Sequence, residues 1–194
     1  MVVLIGKSGV GKDFVLDILK RDYGFTPIVS YTTRPMRDNE IDGINYHFVN
    51  QKKFQQLASL GFFAEKIQNY GCENWYGVAK EDCLNNSIVI VEKEGLKQLK
   101  TIDQLEITSI CLYNSPIVRG FRMLKRGDSL SSVLERLYKD KNKFKNVEND
   151  SIIKFKVRNG NDTALAISET MKNRELIKSV LKTLKINSEG SLYE

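Results

Sequence analysis

The chain has 194 residues, enough for one full core and short for two, so a single domain with inserted pieces is the expectation. Hydrophobic residues make up 41% and charged ones 28%, which excludes a disordered chain and a membrane-embedded one. Thirty basic residues against 24 acidic leave a net charge of +6, which suits a small phosphate-bearing substrate as well as nucleic acid, and no nucleic-acid recognition module is evident.

From the N-terminus, Val2 to Ile5 is a continuous apolar run, the pattern of a strand buried on both faces of a parallel sheet. "MVVLIG" is too short for a signal peptide or a membrane span, and no later run approaches that length, so a cytoplasmic protein is expected. A glycine-rich turn leads into a helix over Lys12 to Arg21, with Phe14, Val15, Ile18 and Leu19 on one face and Gly24 at its exit. Phe25 to Ser30 reads as a second strand. Strand, glycine loop, helix, strand is the opening of an α/β fold.

Residues 31–82 break that rhythm. They are rich in aromatics and turn signals ("DNEIDG", "NYGCEN"), with a short strand in "INYHFV" and a helical piece in "QKKFQQLASLG". An inserted α+β subdomain is the reading. Ser87 to Glu92 and Ile107 to Leu112 return to the buried-strand pattern. Helices are expected over 116–124 and 132–146, where Ser132 and Glu135 have capping-box spacing. "IIKFKVRN" reads as the last strand. A long helix follows from Asp162 with Ile177, Val180, Leu181 and Leu184 on one face, before a frayed tail, "NSEGSLYE". The three cysteines, Cys72, Cys83 and Cys111, match no metal spacing and fit free thiols in a reducing compartment.

"GKSGVGKD" is the first stretch with chemistry in it. Gly6, Lys7, Ser8, Gly9, Val10, Gly11, Lys12 and Asp13 follow a strand and open a helix, the context that a phosphate-binding P-loop requires. Backbone N–H groups of such a loop converge on phosphate oxygens, and Lys12 reaches the β- and γ-phosphates of ATP. Asp13 stands where a magnesium-ligating Ser or Thr is usual. A carboxylate is a good hard-cation ligand, so Asp13 is the candidate metal ligand and Mg2+ the expected ion.

"SYTTRPMR" then places Arg34 and Arg37 three residues apart across Pro35. Guanidinium groups crowded this way call for an anion, and two planar forks can cover one phosphate from different sides. Tyr46 in "DGINYHF" and Tyr76 in "NWYG" add hydroxyl donors, and Glu65 in "FFAE" adds a carboxylate. His47 alternates away from Tyr46 and Phe48, and Trp75 reads as packing, so neither is expected to act in catalysis.

In this order the motifs resemble those of guanylate kinases: P-loop, "S-x-T-T-R-P-x-R", "DGxxYxF", "FxE", a "YYG"-like piece, "RG…ERL" and a late "V-x-N". The likeness covers residues 2–183. It implies a three-layer α/β/α P-loop NTPase fold with a mainly parallel sheet. The core would be 1–30, 83–123 and 147–185, with a monophosphate-binding insert at 31–82 and a lid at 124–146. It implies transfer of a phosphoryl group from ATP to GMP or dGMP, giving ADP and the diphosphate. Arg34, Arg37, Tyr46 and Tyr76 would hold the acceptor phosphate, Ser30 and Glu65 would read guanine, and Glu92 would belong to the substrate site. Lys12, Arg126 and Arg136 would be catalytic, and Arg122 and Asn159 would lie by ATP. Small-molecule nucleotides are the implied partners, with no membrane or nucleic acid among them.

The sequence departs from that family at two further places. Val78 replaces a guanine-binding hydroxyl, and Ile90 replaces the first acid of a D-x-D pair whose second member is Glu92. With Asp13 gained in the P-loop, one explanation is that a carboxylate has crossed the metal site. Ribose 1,5-bisphosphate phosphokinases resemble guanylate kinases and can show both "GKD" and "YGV", but they lack the base-reading elements. A non-catalytic, guanylate kinase-like scaffold is the other alternative, and the complete P-loop argues against it.

Overall fold

The computed structural model describes residues 1–68, 73–84, 87–103, 105–144 and 153–190, with the backbone alone at 142, 143, 176–178 and 180–190. Cys72, the first part of "NYGCEN", the apolar face expected at Ile177, Val180, Leu181 and Leu184, and residues 191–194 lie outside this description.

The central sheet has five strands, all parallel: β1 (Val2–Gly6), β2 (Thr26–Pro27), β7 (Ser87–Ile90), β8 (Thr108–Tyr113) and β9 (Ile153–Lys156), in the order β2-β7-β1-β8-β9. β1 sits in the middle, and its alternation divides the core in two. Val2 and Leu4 face one side, with Val15, Ile18 and Leu19 of helix α1 (Lys12–Tyr23) and Ala164 and Ile167 of α6 (Gly160–Gly190). Val3 and Ile5 face the other, with Leu96 and Leu99 of α3 (Lys93–Leu99). Helices therefore cover both faces, which gives the expected three layers, and a strand enclosed this way has no polar side to show in its sequence.

A second sheet takes the order β4-β3-β6-β5, from β3 (Tyr31–Thr32), β4 (His47–Phe48), β5 (Phe63–Gln68) and β6 (Trp75–Ala79). Helix α2 (Gln51–Ser59) is capped by Asn50, whose side chain accepts from Lys53 N–H at 2.8 Å, and it buries Phe54 against Phe63, ring centroids 4.5 Å apart. Two helices follow β8: α4 (Pro116–Lys125), capped by Ser115, and α5 (Leu130–Lys143).

Three local expectations are corrected. Phe14 is 60% exposed and lies over Gly160 at the start of α6 instead of joining the buried face of α1. The second strand is only two residues long and lies at the sheet edge, where Pro27, without an N–H to donate, is tolerated. Helix α5 starts a turn before Ser132. Ser129 is its cap and accepts from Ser132 N–H at 3.3 Å, while Glu135 pairs along the helix with Lys139.

Candidate active site

Parallel strands end together, and the loops at their C-terminal ends build the site. The turn after β1 is the glycine loop. Gly9 and Gly11 have φ of 72° and 99°, a left-handed backbone that admits glycine at little cost. Gly9 has a second constraint, since a Cβ there would meet the carbonyl oxygen of Arg119 at 2.6 Å. Lys12 folds back over the loop and donates to the Gly6 carbonyl at 2.7 Å. The residue is half-buried with its ammonium enclosed, and desolvation lowers its pKa from the ordinary lysine value, although Asp13, Asp140 and Glu92 all pull the other way. The Gly6 carbonyl and the Lys7 carbonyl at 3.5 Å are weak partners for an ammonium, which leaves Lys12 able to turn to a phosphate.

Beside the loop lies a cleft of about 260 Å3 lined by Gly6, Ser8, Lys12, Ser30, Tyr46, Glu65, Tyr76, Ile90, Glu92 and Asp140 among others. Both sheets contribute: the parallel sheet supplies the glycine loop and Glu92, and the second sheet supplies Glu65 and Tyr76. Glu65 is 3% exposed, and its pKa is pushed up to about 8 by burial first and by the charge of Glu92 second. Its carboxylate lies against Gly95 in the first turn of α3, where any Cβ would collide with it. Tyr46 and Tyr76 meet edge to face at 5.9 Å. Asp13 is exposed at the start of α1, near enough for its charge to act on both Lys12 and Tyr46.

Of the crowded pair, Arg34 already has an anion. Arg34 is clamped bidentately by Glu40, with NH1 to Oε2 at 2.6 Å, and lies over the Tyr46 ring at 5.1 Å. Arg37 gives the same carboxylate its backbone N–H, at 2.9 Å. The Arg34 guanidinium holds the Glu40 carboxyl down to about 2. Asp128 gathers the others: Arg126 lies 2.6 Å from it and Arg136 3.6 Å, and the positive charge of Arg37 also reaches it. Residues 34–37 and the α4–α5 corner thus form one basic rim with two internal counter-ions. The sequence reading missed Glu40, which it treated as part of a turn, as well as Asp128 and Asp140. An acid three residues after Arg37 was the available signal for Glu40.

Two residues expected near ATP have local work as well. Arg122 donates to the Val10 carbonyl at 2.7 Å and the Val157 carbonyl at 3.3 Å, so it struts the glycine loop from below. Asn159 is exposed and caps α6, its side chain accepting from Asn161 N–H at 3.0 Å. Val78 is buried inside β6, facing the core, and Ile90 lines the cleft. His47 lies tilted against Tyr31 at 4.6 Å and Trp75 lies against Phe54 at 5.9 Å, both as packing. Among the described residues, no three His, Cys, Asp or Glu side chains gather as a metal cage, and no helix is long and apolar enough to cross a membrane.

Comparison with known proteins points the same way as this geometry. The chain is 35% identical over 145 residues to a guanylate kinase of Clostridioides difficile, covering 71% of this chain and 70% of that one. A guanylate kinase of Clostridium tetani is 27% identical over all of this chain and 96% of its own length. The crystal structure of guanylate kinase from Anaplasma phagocytophilum shares the fold, with a TM-score of 0.65 at 22% identity over 90% of this chain and 85% of that one. A gluconokinase structure from Sinorhizobium meliloti is further away, with a TM-score of 0.53 at 15% identity over 92% and 96% of the two chains. Residues 1–173 match the guanylate kinase family, and the chain belongs to it.

Proposed function

We propose that this protein is a nucleoside monophosphate kinase that transfers the terminal phosphoryl group of ATP to GMP or dGMP, releasing ADP and the diphosphate. The observation that carries the acceptor is Glu65, a buried carboxylate from the second sheet that lines the same cleft as Lys12. Guanine offers adjacent N1–H and N2–H donors that one carboxylate accepts together. Adenine has no such pair of donors, so it gives the ionised form of Glu65 no matching partner.

The roles follow from position. The glycine loop and Lys12 hold the phosphates of ATP, with Arg122 supporting the loop and Asn159 near the base. Ser30 and Glu65 read guanine, and Glu92 closes the substrate cleft behind them. Arg34, Arg37, Tyr46 and Tyr76 hold the acceptor phosphate. An oxygen of that phosphate attacks the γ-phosphorus in line, a new P–O bond forms, and the bond to the β,γ-bridging oxygen breaks. A phosphate with its second pKa near ~6 is already ionised at neutral pH, so no general base is required. Lys12, Arg126 and Arg136 neutralise the charge that builds on the transferred group. Residues 124–146 act as the lid, which brings Arg126 and Arg136 over the phosphates and excludes water. The 31–82 insert carries the acceptor, and the enzyme works in the cytoplasm.

Mg2+ fits at the start of α1, where the Asp13 carboxylate is exposed and its charge acts on Lys12, because this ion usually takes one or two protein carboxylates and completes its shell with phosphate oxygens and water. Asp13 would hold it, with the bound ion offsetting phosphate charge. Asp13→Ala should therefore shift the magnesium requirement upward by about tenfold. A magnesium titration of ATP binding that is the same for variant and parent would remove Asp13 from the metal site.

The test is ADP release with ATP and magnesium against GMP, dGMP, AMP, CMP, UMP, dTMP and ribose 1,5-bisphosphate. Turnover confined to the guanine nucleotides is the expected result, and turnover of the sugar bisphosphate alone would overturn it. Arg37→Ala should raise KM for GMP about a hundredfold, the effect of losing a bidentate phosphate contact, with ATP affinity within twofold of the parent. An equal loss of ATP affinity would put Arg37 on the donor side.

A further inference from the structure

Ser8 has all three of its polar groups taken by one buried ion pair that neither the loop motif nor the family resemblance calls for. Asp140 Oδ2 accepts from the Ser8 N–H at 2.9 Å, and Oδ1 accepts from the Ser8 hydroxyl at 3.4 Å. Arg119 donates from a single nitrogen to Asp140 at 2.7 Å and to the Ser8 carbonyl at 3.1 Å. The two side chains are 3% and 9% exposed. They come from different helices, Arg119 from α4 and Asp140 from α5.

Joining two helices does not need such a pair. An apolar contact of the same volume would do it without stripping water from two charges. Arg119 Nε adds to the cost, because it is buried with no hydrogen-bond partner among the described residues. What an apolar contact cannot do is satisfy the N–H, hydroxyl and carbonyl of Ser8. The backbone of Arg119 is also fitted to the loop, since its carbonyl oxygen closes the space beside Gly9.

We propose that Arg119 and Asp140 are positioning residues for ATP: they fix the Ser8 peptide at the mouth of the phosphate loop and tie α5, which carries Arg136, to it. This rests on the reading of the loop as the ATP site. Asp140 faces the cleft, but Arg119 offsets its charge, so it orients the loop without opposing an incoming phosphate. A loop held at Ser8 presents its other N–H groups already aimed, and ATP does not have to order them. The same tie puts the base of the lid in register with the loop.

Single replacement of either residue strands a buried charge, so Arg119→Leu with Asp140→Ala in one chain carries the test. The double variant should melt cooperatively. Its Kd and KM for ATP should rise roughly tenfold, the loss of about one charge-assisted hydrogen bond, while KM for GMP moves less than twofold. Arg119→Lys keeps a charged donor for both acceptors and should raise KM for ATP no more than about threefold, again sparing GMP. Should the double variant not fold, the lysine variant decides alone, and an equal rise in both KM values overturns the proposal. A folded double variant with unchanged ATP affinity would make the pair a structural tie only. Tighter ATP binding would make Asp140 a competitor of the phosphate. Either result overturns the proposal. Lys12→Ala is titrated alongside, and ATP affinity equal to the parent's there would sink the ATP-site reading itself, whatever the pair does.

Discussion

Glu65→Gln should lower kcat/KM for GMP by about a thousandfold, equivalent to ~4 kcal/mol of transition-state binding. The loss comes from both ends of the new amide. Its oxygen can still accept one guanine N–H, but its NH2 meets the second guanine donor head on. The same amide complements adenine, which offers an N1 acceptor beside an N6 donor, so the ratio of GMP to AMP turnover should fall further than GMP turnover alone. The pH dependence gives an independent check. Free Glu65 titrates at about 8 because burial and Glu92 oppose its charge, and guanine needs the charged form. Below that pH the parent's kcat/KM for GMP should rise about tenfold per unit, and the Gln variant should be flat in this limb. Stability runs the other way. A carboxyl whose folded pKa lies above its unfolded value stabilises the fold while protonated, and that contribution is lost as pH rises from about 4.5 through about 8. Glu65→Gln should thus melt higher than the parent at pH 9 and close to it at pH 5. A variant that keeps its GMP preference, or a parent profile flat between pH 6 and 8, would remove Glu65 from base recognition.

The legible part of this chain is the part in which local chemistry and the fold agree. β1 could be read because a strand covered on both faces is apolar throughout, and the glycine loop because its backbone demands glycine at Gly9 and Gly11. The Arg34–Arg37 pair signalled an anion, but the reading looked only outward for it. One anion, Glu40, was already in the chain. Asp128 and Asp140 were less accessible still. An acid on a helix with several lysines looks like a solvated face, and only tertiary packing shows that Asp140 turns inward to a serine 132 residues away. Helix α5 began early for a related reason, because Ser129 and Ser132 both precede apolar periodicity and only the realised hydrogen bond distinguishes them. Asp13 and Glu92 both act on Lys12, and Ile90 lines the cleft that Lys12 and Glu92 share.

Lys12→Ala should reduce kcat by at least about a thousandfold, in line with removal of a cation aimed at developing phosphoryl charge. Lys12→Arg should not restore it. The ammonium is enclosed by its own loop at 2.7 Å from the Gly6 carbonyl, and a planar guanidinium is too broad for that seat. The loss must come without unfolding, and the physics favours that outcome. Burial already lowers the pKa of Lys12, which means that the fold bears a cost for holding the charge there when no phosphate is bound. Removing it should leave the melting temperature unchanged or higher, and a variant that is inactive because it has melted would not support the role. The alkaline limb separates binding from chemistry. In the free enzyme Lys12 loses its proton below the ordinary lysine value of 10.5, so kcat/KM for ATP should decline toward high pH from that lowered point. Bound phosphates favour the ammonium, so the decline in kcat should begin at higher pH than the decline in kcat/KM. Two limbs that coincide would mean that ATP brings no phosphate near Lys12, and the donor site would then have to lie elsewhere in the cleft.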